Sequence, residues 1–223
     1  MGIIDENVNN NARNKILPLG ASRVDGARPV FESYRYELWK RLLDGGYSFD
    51  FVGSNIDEAT YPEYAGLMFD RDHSGYGGFT SGQILSNLPA WLNASGTPDI
   101  VLLSSPGGND ALQNLSYDNA VANINAIIDV LQERNPNVTI IIEQLAPGMT
   151  NIMTPTLTNY MQQMQQEVVT MAAAQSTSSS KVLTVDMFTG FNDSLLEDDV
   201  HYNEAGAQFI AQRYYAVLES VLQ

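Results

Sequence analysis

The feature that most limits this chain is a five-fold alternation of short apolar runs with longer segments of helical spacing. KILPLG (15–20), FDFVGS (49–54), DIVLLSS (99–105), VTIIIEQL (138–145) and KVLTVDMF (181–188) have strand length and composition. Between and after them, residues 32–43, 81–93, 117–134, 155–175 and 203–223 carry apolar positions at helical spacing. In the long helix, Met161, Met164, Val168 and Met171 form a stripe that points to the core rather than to a cofactor. Near-continuous apolar strands are expected where both sheet faces are covered. Strand–helix alternation with right-handed crossovers then predicts a doubly wound parallel five-stranded sheet with helices on both faces. In such sheets ligands bind beyond the carboxyl ends of the strands.

Composition narrows the function classes. The 223 residues hold 11 Lys plus Arg against 26 Asp plus Glu, a formal charge of −15. That field repels phosphate backbones, so nucleic acid is not an expected partner. No apolar run of about 18 residues is present, and no membrane span is expected. The reading divides the chain into a polar Asn-rich leader, 1–14, and one domain, 15–223. The first residues lack signal-peptide character, which leaves a cytoplasmic protein or an exported one that has lost its signal. Cysteine is absent, which removes disulfides, thiolate nucleophiles and Cys-ligated zinc. Only His73 and His201 can supply an imidazole, so a multi-histidine metal site is excluded and no cofactor is expected.

Three loops on the carboxyl edge of the predicted sheet carry candidate chemistry. Ser22 follows the first strand, Asn109 the third, and His201 the fifth. A hydroxyl becomes a useful nucleophile when an imidazole takes its proton and a carboxylate orients that imidazole. Asp198, three residues before His201, is the expected partner, with Glu197 and Asp199 as neighbouring alternatives. A tetrahedral intermediate needs oxyanion donors. Asn109 offers an amide, Ser22 and Gly78 offer backbone N–H groups, and Gly75, Gly77 and Gly82 lie close enough to leave the glycine open.

Gly-Ala-Ser after a strand, glycine before Phe-Thr-Ser, Gly-Gly-Asn-Asp, and Asp-Asp-Val-His near the carboxyl end occur here in that order. This series resembles the SGNH (GDSL-type) hydrolases over residues 15–222. The resemblance implies a flavodoxin-like three-layer α/β/α sandwich, with Ser22 as nucleophile, His201 as base, Asp198 as its partner, and Ser22, Gly78 and Asn109 as oxyanion donors. Residues 33–54 further resemble the carbohydrate-esterase branch, whose members remove acetyl groups from polysaccharides. The family sequence has Asp where this chain has Ala21, which bears on loop rigidity and substrate choice.

The expected activity is therefore a serine esterase acting on short acyl esters, acetyl on carbohydrate first. A lysophospholipase or thioesterase, and an inactive carbohydrate-binding domain, are the alternatives. Arg23 is expected to pair with a surface carboxylate or to contact substrate. Tyr61, Tyr64, Tyr76 and Phe79 are candidates to stack on sugar. His73, with Asp70 and Asp72, is read as part of a solvated acidic loop in preference to a calcium site or a second acid–base group. Gly-x-Ser-x-Gly, a phosphate-binding Gly-Lys loop and Gly-x-Gly-x-x-Gly are all absent.

Overall fold

In a computed structural model, residues 14–222 are described; residues 1–13 of the expected leader, and the last residue of the closing helix, lie outside them. Asn14, placed with the leader, belongs to the fold: it is buried and donates to the Ser48 carbonyl. The first strand, β1 (Lys15–Gly20), leads through a helical turn, α1 (Ser22–Asp25), to α2 (Arg35–Asp44). Then come β2 (Asp50–Phe51), β3 (Asn55–Ile56), β4 (Asp72–Gly75) and α3 (Ser81–Ser95). The remainder runs β5 (Ile100–Leu103), α4 (Gly108–Leu112), α5 (Tyr117–Arg134), β6 (Thr139–Gln144), α6 (Pro155–Gln175), β7 (Lys181–Asp186) and α7 (Glu204–Leu218).

The sheet is parallel except for β3, and its order is β3-β4-β1-β5-β6-β7, with β2 also on β1. Alternating side chains divide the core. Leu17, Leu19, Val101, Leu103, Ile140 and Ile142 face α3, α5 and α6, whereas Ile16, Ile100, Leu102 and Ile141 face α2 and α7. The methionine stripe of α6 is buried on the first side. The doubly wound α/β class thus holds.

Among the described residues, seven strands replace the expected five. The 49–54 run pairs with only the start of β1, Lys15 and Ile16 against Asp50 and Phe51. Its second half leaves the sheet, and β4 takes over the same side, pairing Leu19 and Gly20 with Ser74 and Gly75. The exchange occurs at Gly53, where a Cβ would stand 2.0 Å from the His73 carbonyl carbon and oxygen. Only a residue without a side chain lets the two backbones cross. Gly53→Ala should therefore destabilise the fold by about 3 kcal/mol or more, because backbone rather than a flexible side chain must yield. An unaltered urea midpoint would contradict this crossing.

His73 and Asp70 are buried, which corrects their reading as a solvated loop. The Asp70 carboxylate accepts the Phe51 N–H at 2.7 Å, tying β2 to the approach of β4. Burial pushes Asp70 up to about 8, against the opposing Phe51 hydrogen bond. Burial likewise pushes His73 down to about 2. Its Nδ1 accepts from Gly75 N–H at 3.0 Å, so the ring is the neutral Nε2–H form at this lane crossing. Among the described residues no group of three or more His, Asp or Glu side chains is arranged to hold a metal, and no helix is long and apolar enough to cross a membrane.

Candidate active site

The turn after β1 places Ser22 at the carboxyl edge of the sheet. Ala21 O accepts from Val24 and Asp25 N–H, and Ser22 O accepts from Gly26 N–H, closing the short helical turn. The buried Arg35 braces it from below, donating to Val24 O at 2.7 Å and Asp25 O at 2.9 Å while pairing with Asp57 at 2.6 Å. Arg35 belongs to the segment that resembles carbohydrate esterases, but its bracing role was not legible there.

The loop before α7 brings in the imidazole. His201 Nε2 and Ser22 Oγ are 2.9 Å apart, across 179 positions of sequence. His201 Nδ1 lies 2.7 Å from Asp198 Oδ2. Asp198 Oδ1 accepts the Val200 and His201 N–H groups at 2.9 and 2.8 Å, which folds the three-residue spacing into a tight turn. Burial alone would raise the Asp198 pKa, but these donors and the imidazole outweigh it and hold the carboxyl below its ordinary value. Asp199 instead accepts from Asn151 Nδ2, and Glu197 joins through its backbone N–H to His201 O. The geometry therefore brings Asp198, of the three acidic neighbours, to the ring. Phe31 stacks on a face of the imidazole, with centroids 3.8 Å apart and planes at 10°. Nothing in its sequence neighbourhood signals that contact.

Asn109 stands on α4, directly after the Pro-Gly-Gly turn. One hydrogen of its amide is engaged by Phe79 O at 2.8 Å, and Gln113 Nε2 donates to Gly78 O at 3.2 Å. These bonds draw the Gly78–Phe79 segment against α4. Asp110 does not cap its own helix. Its carboxylate accepts Ser81 N–H and Oγ–H at 2.8 and 2.7 Å and so joins α4 to the start of α3. The N–H groups of Ser22 and Gly78 have no acceptor among the described residues.

A cleft of ≈ 690 Å³, open solvent at its mouth included, contains Ser22, Asn109 and Phe79. Its floor is apolar: Leu103, Leu145, Ile124, Ile127 and Met161. Gly78 is exposed and lies beside the lining. Other expected substrate contacts fall elsewhere. Tyr76 is stacked on Trp91 with centroids 4.4 Å apart, and its hydroxyl is held at Ser54 Oγ. Tyr61 is buried against Phe69, and the Tyr64 hydroxyl donates to Asp44. The aromatic residues were attractive to the core or to one another, and Phe79 alone of the four lines the cleft.

Arg23 does not form the expected pair with a surface carboxylate, although it lines the cleft beside Ser22. It is 8% exposed, has no carboxylate within ion-pair distance among the described residues, and donates to Val200 O, Ala146 O and Pro147 O at 2.8, 2.8 and 2.9 Å. The segment after the nucleophile turns its cation inward, where carbonyls solvate it.

A doubly wound α/β sheet with a serine, an imidazole and a carboxylate in hydrogen-bonded sequence at its carboxyl edge defines a class of protein equipped for acyl transfer. Residues 44–209 match the GDSL-like lipase/acylhydrolase family, and the chain belongs to that family. It is a carboxylic ester hydrolase. It is similar to the crystal structure of an acetyl esterase with acetate ion, with 25% identity and TM-score 0.80 over 93% of this chain and 97% of that one. A family 3 carbohydrate esterase from Clostridium thermocellum gives 28% identity and TM-score 0.73 over 94% and 99%. One from Talaromyces cellulolyticus gives 25% and 0.78 over 93% and 97%. No curated protein sequence matches the chain.

Proposed function

We propose that this chain removes short acyl groups, acetyl first, from carbohydrate esters through an acyl-enzyme. The observation that carries the reading is the continuous path Ser22 Oγ–His201–Asp198, 2.9 and 2.7 Å per link, opening on a cleft that also contains Asn109. Ser22 Oγ attacks the carbonyl carbon as His201 Nε2 takes its proton. The tetrahedral oxyanion is met by the free amide hydrogen of Asn109 and the N–H groups of Ser22 and Gly78. His201 returns the proton to the leaving alkoxide, and the C–O bond breaks. Water then repeats the attack with the same base, releasing the acid and restoring Ser22. Asp198 keeps the Nδ1–H tautomer and stabilises the imidazolium. No step requires a cofactor.

Carbohydrate as the alcohol is supported by the solved acetyl esterase and family 3 carbohydrate esterases that this chain resembles. A second groove shares Leu112 and Val200 with the cleft and adds Asn114, Thr156 and Tyr160, a mixed polar and apolar lining suited to the sugar side of the ester. The apolar floor at Ile124, Ile127 and Met161 favours a second reading, a hydrolase of longer acyl chains. A p-nitrophenyl ester series run beside acetylated xylan separates them. Acetate should give the highest kcat/KM, with at least a tenfold fall by octanoate and measurable acetate release from xylan. A rate that rises with chain length would overturn the acetyl assignment.

A further inference from the structure

Two buried ionisable side chains, Arg23 in the cleft wall and Glu143 behind it, are not used by the reaction above. Glu143 on β6 is fully buried, and Arg23 is nearly so. Removing both from water is costly unless their hydrogen bonds hold something that matters. Their partners converge on the reacting loops. Glu143 Oε1 accepts from Ser104 Oγ at 3.0 Å, and Oε2 accepts from Ser105 N–H at 2.7 Å and Ser105 Oγ at 3.3 Å. Ser105 has φ +47°, a left-handed conformation that a serine seldom adopts without such support. Its carbonyl accepts Gly108 N–H and so starts the turn that presents Asn109.

Arg23 reaches the other half of the site. It follows Ser22, and its Nε–H donates to the carbonyl of Val200, the residue before His201. The same guanidinium touches Ser105 Oγ at 3.5 Å and lies over the Tyr202 ring, 4.8 Å from its centroid. Ser105 Oγ thus stands between the two side chains. Resting on the esterase reading, we infer that Arg23 and Glu143 are a paired set of positioning residues. Through Ser105 and Val200 they lock the nucleophile, imidazole and oxyanion loops into one register. Neither touches the reacting atoms. The guanidinium grips three carbonyls, those of Val200, Ala146 and Pro147. A misplacement of about 1 Å can cost on the order of 10²-fold in rate, so such a lock acts on turnover.

The test is a double-mutant cycle on the full chain with p-nitrophenyl acetate. Arg23→Lys keeps the charge but loses the planar fork, and Glu143→Gln keeps the shape but loses the charge. Each should lower kcat by about 10- to 100-fold and change KM by less than about threefold. The double variant should lose about as much as the worse single one, since the two act as a unit. Losses that multiply, or that fall on KM, would overturn the inference. So would folded single variants with kcat within about twofold of the unaltered chain. Should these variants not fold, Ser105→Gly decides. Glycine accommodates the left-handed backbone while the bridging hydroxymethyl group is lost, so kcat should fall about fivefold or more with KM steady, and an unchanged kcat would refute the pairing. If the unaltered chain does not cleave the ester, the esterase reading fails and takes this one with it. Activity in the unaltered chain with no effect in the variants defeats the pairing alone.

Discussion

Ser22→Ala should fold like the unaltered chain and lose ester hydrolysis by a factor on the order of 10⁴ to 10⁶. The size follows from the chemistry. Water held near an intact oxyanion site can still attack an ester, but the covalent intermediate is lost, and His201 no longer has a hydroxyl 2.9 Å from Nε2 to activate. Helix and sheet content should persist, because Ser22 Oγ contributes to no packing contact that the turn requires. The backbone bonds from Val24, Asp25 and Gly26 close it without the side chain. A fluorophosphonate probe gives an independent readout: the unaltered chain should be labelled at Ser22 and the variant not at all. Labelling elsewhere, or substantial turnover in a folded Ser22→Ala protein, would refute the nucleophile assignment.

Asp198→Asn should lower kcat by about 10² to 10³. A buried carboxylate in this role is worth about 10⁴, but the Asp198 side chain is 48% exposed, and solvent screens its attraction to the imidazolium. The amide also reverses the hydrogen bond at Nδ1. If its NH₂ faces the ring, His201 must carry its proton on Nε2, the wrong atom to accept from Ser22. The acid limb follows with a definite sign. Because the folded-state pKa of Asp198 is lowered, its contribution to stability is present above the ordinary carboxylate value and disappears as pH falls through the lower one. Asp198→Asn should remove that increment and flatten the acid side of the stability curve. A variant with full kcat, or with an unchanged acid limb in pH-dependent unfolding, would transfer the role to another acid.

The candidate loops were readable because chemistry and topology constrained them together. Only two histidines exist, and the alternation of strands and helices places Ser22, Asn109 and His201 on one edge. The choice among Glu197, Asp198 and Asp199 was not readable, since all three stand close to His201 in sequence. The turn that donates Val200 and His201 N–H to Asp198 Oδ1 decides it. The aromatic residues misled for a related reason. A tyrosine in an acidic loop has the same sequence signature whether it faces sugar or a neighbouring ring, and Tyr61 and Tyr76 took the rings.

The sequence by itself determined the doubly wound class, the edge that gathers the candidate loops and the residue types proposed to act there, because apolar periodicity and residue type are local properties. Tertiary structure alone decided that β4 would share a lane with β2, that His73 would be buried, that Arg23 would turn inward to Val200, and that Glu143 would hold Ser105. A four-residue strand reading DHSG has no apolar period, and a hydrogen bond spanning 177 positions has no local trace. Both arise only when the chain returns to itself and each buried polar group must find whatever partner the packing has brought near.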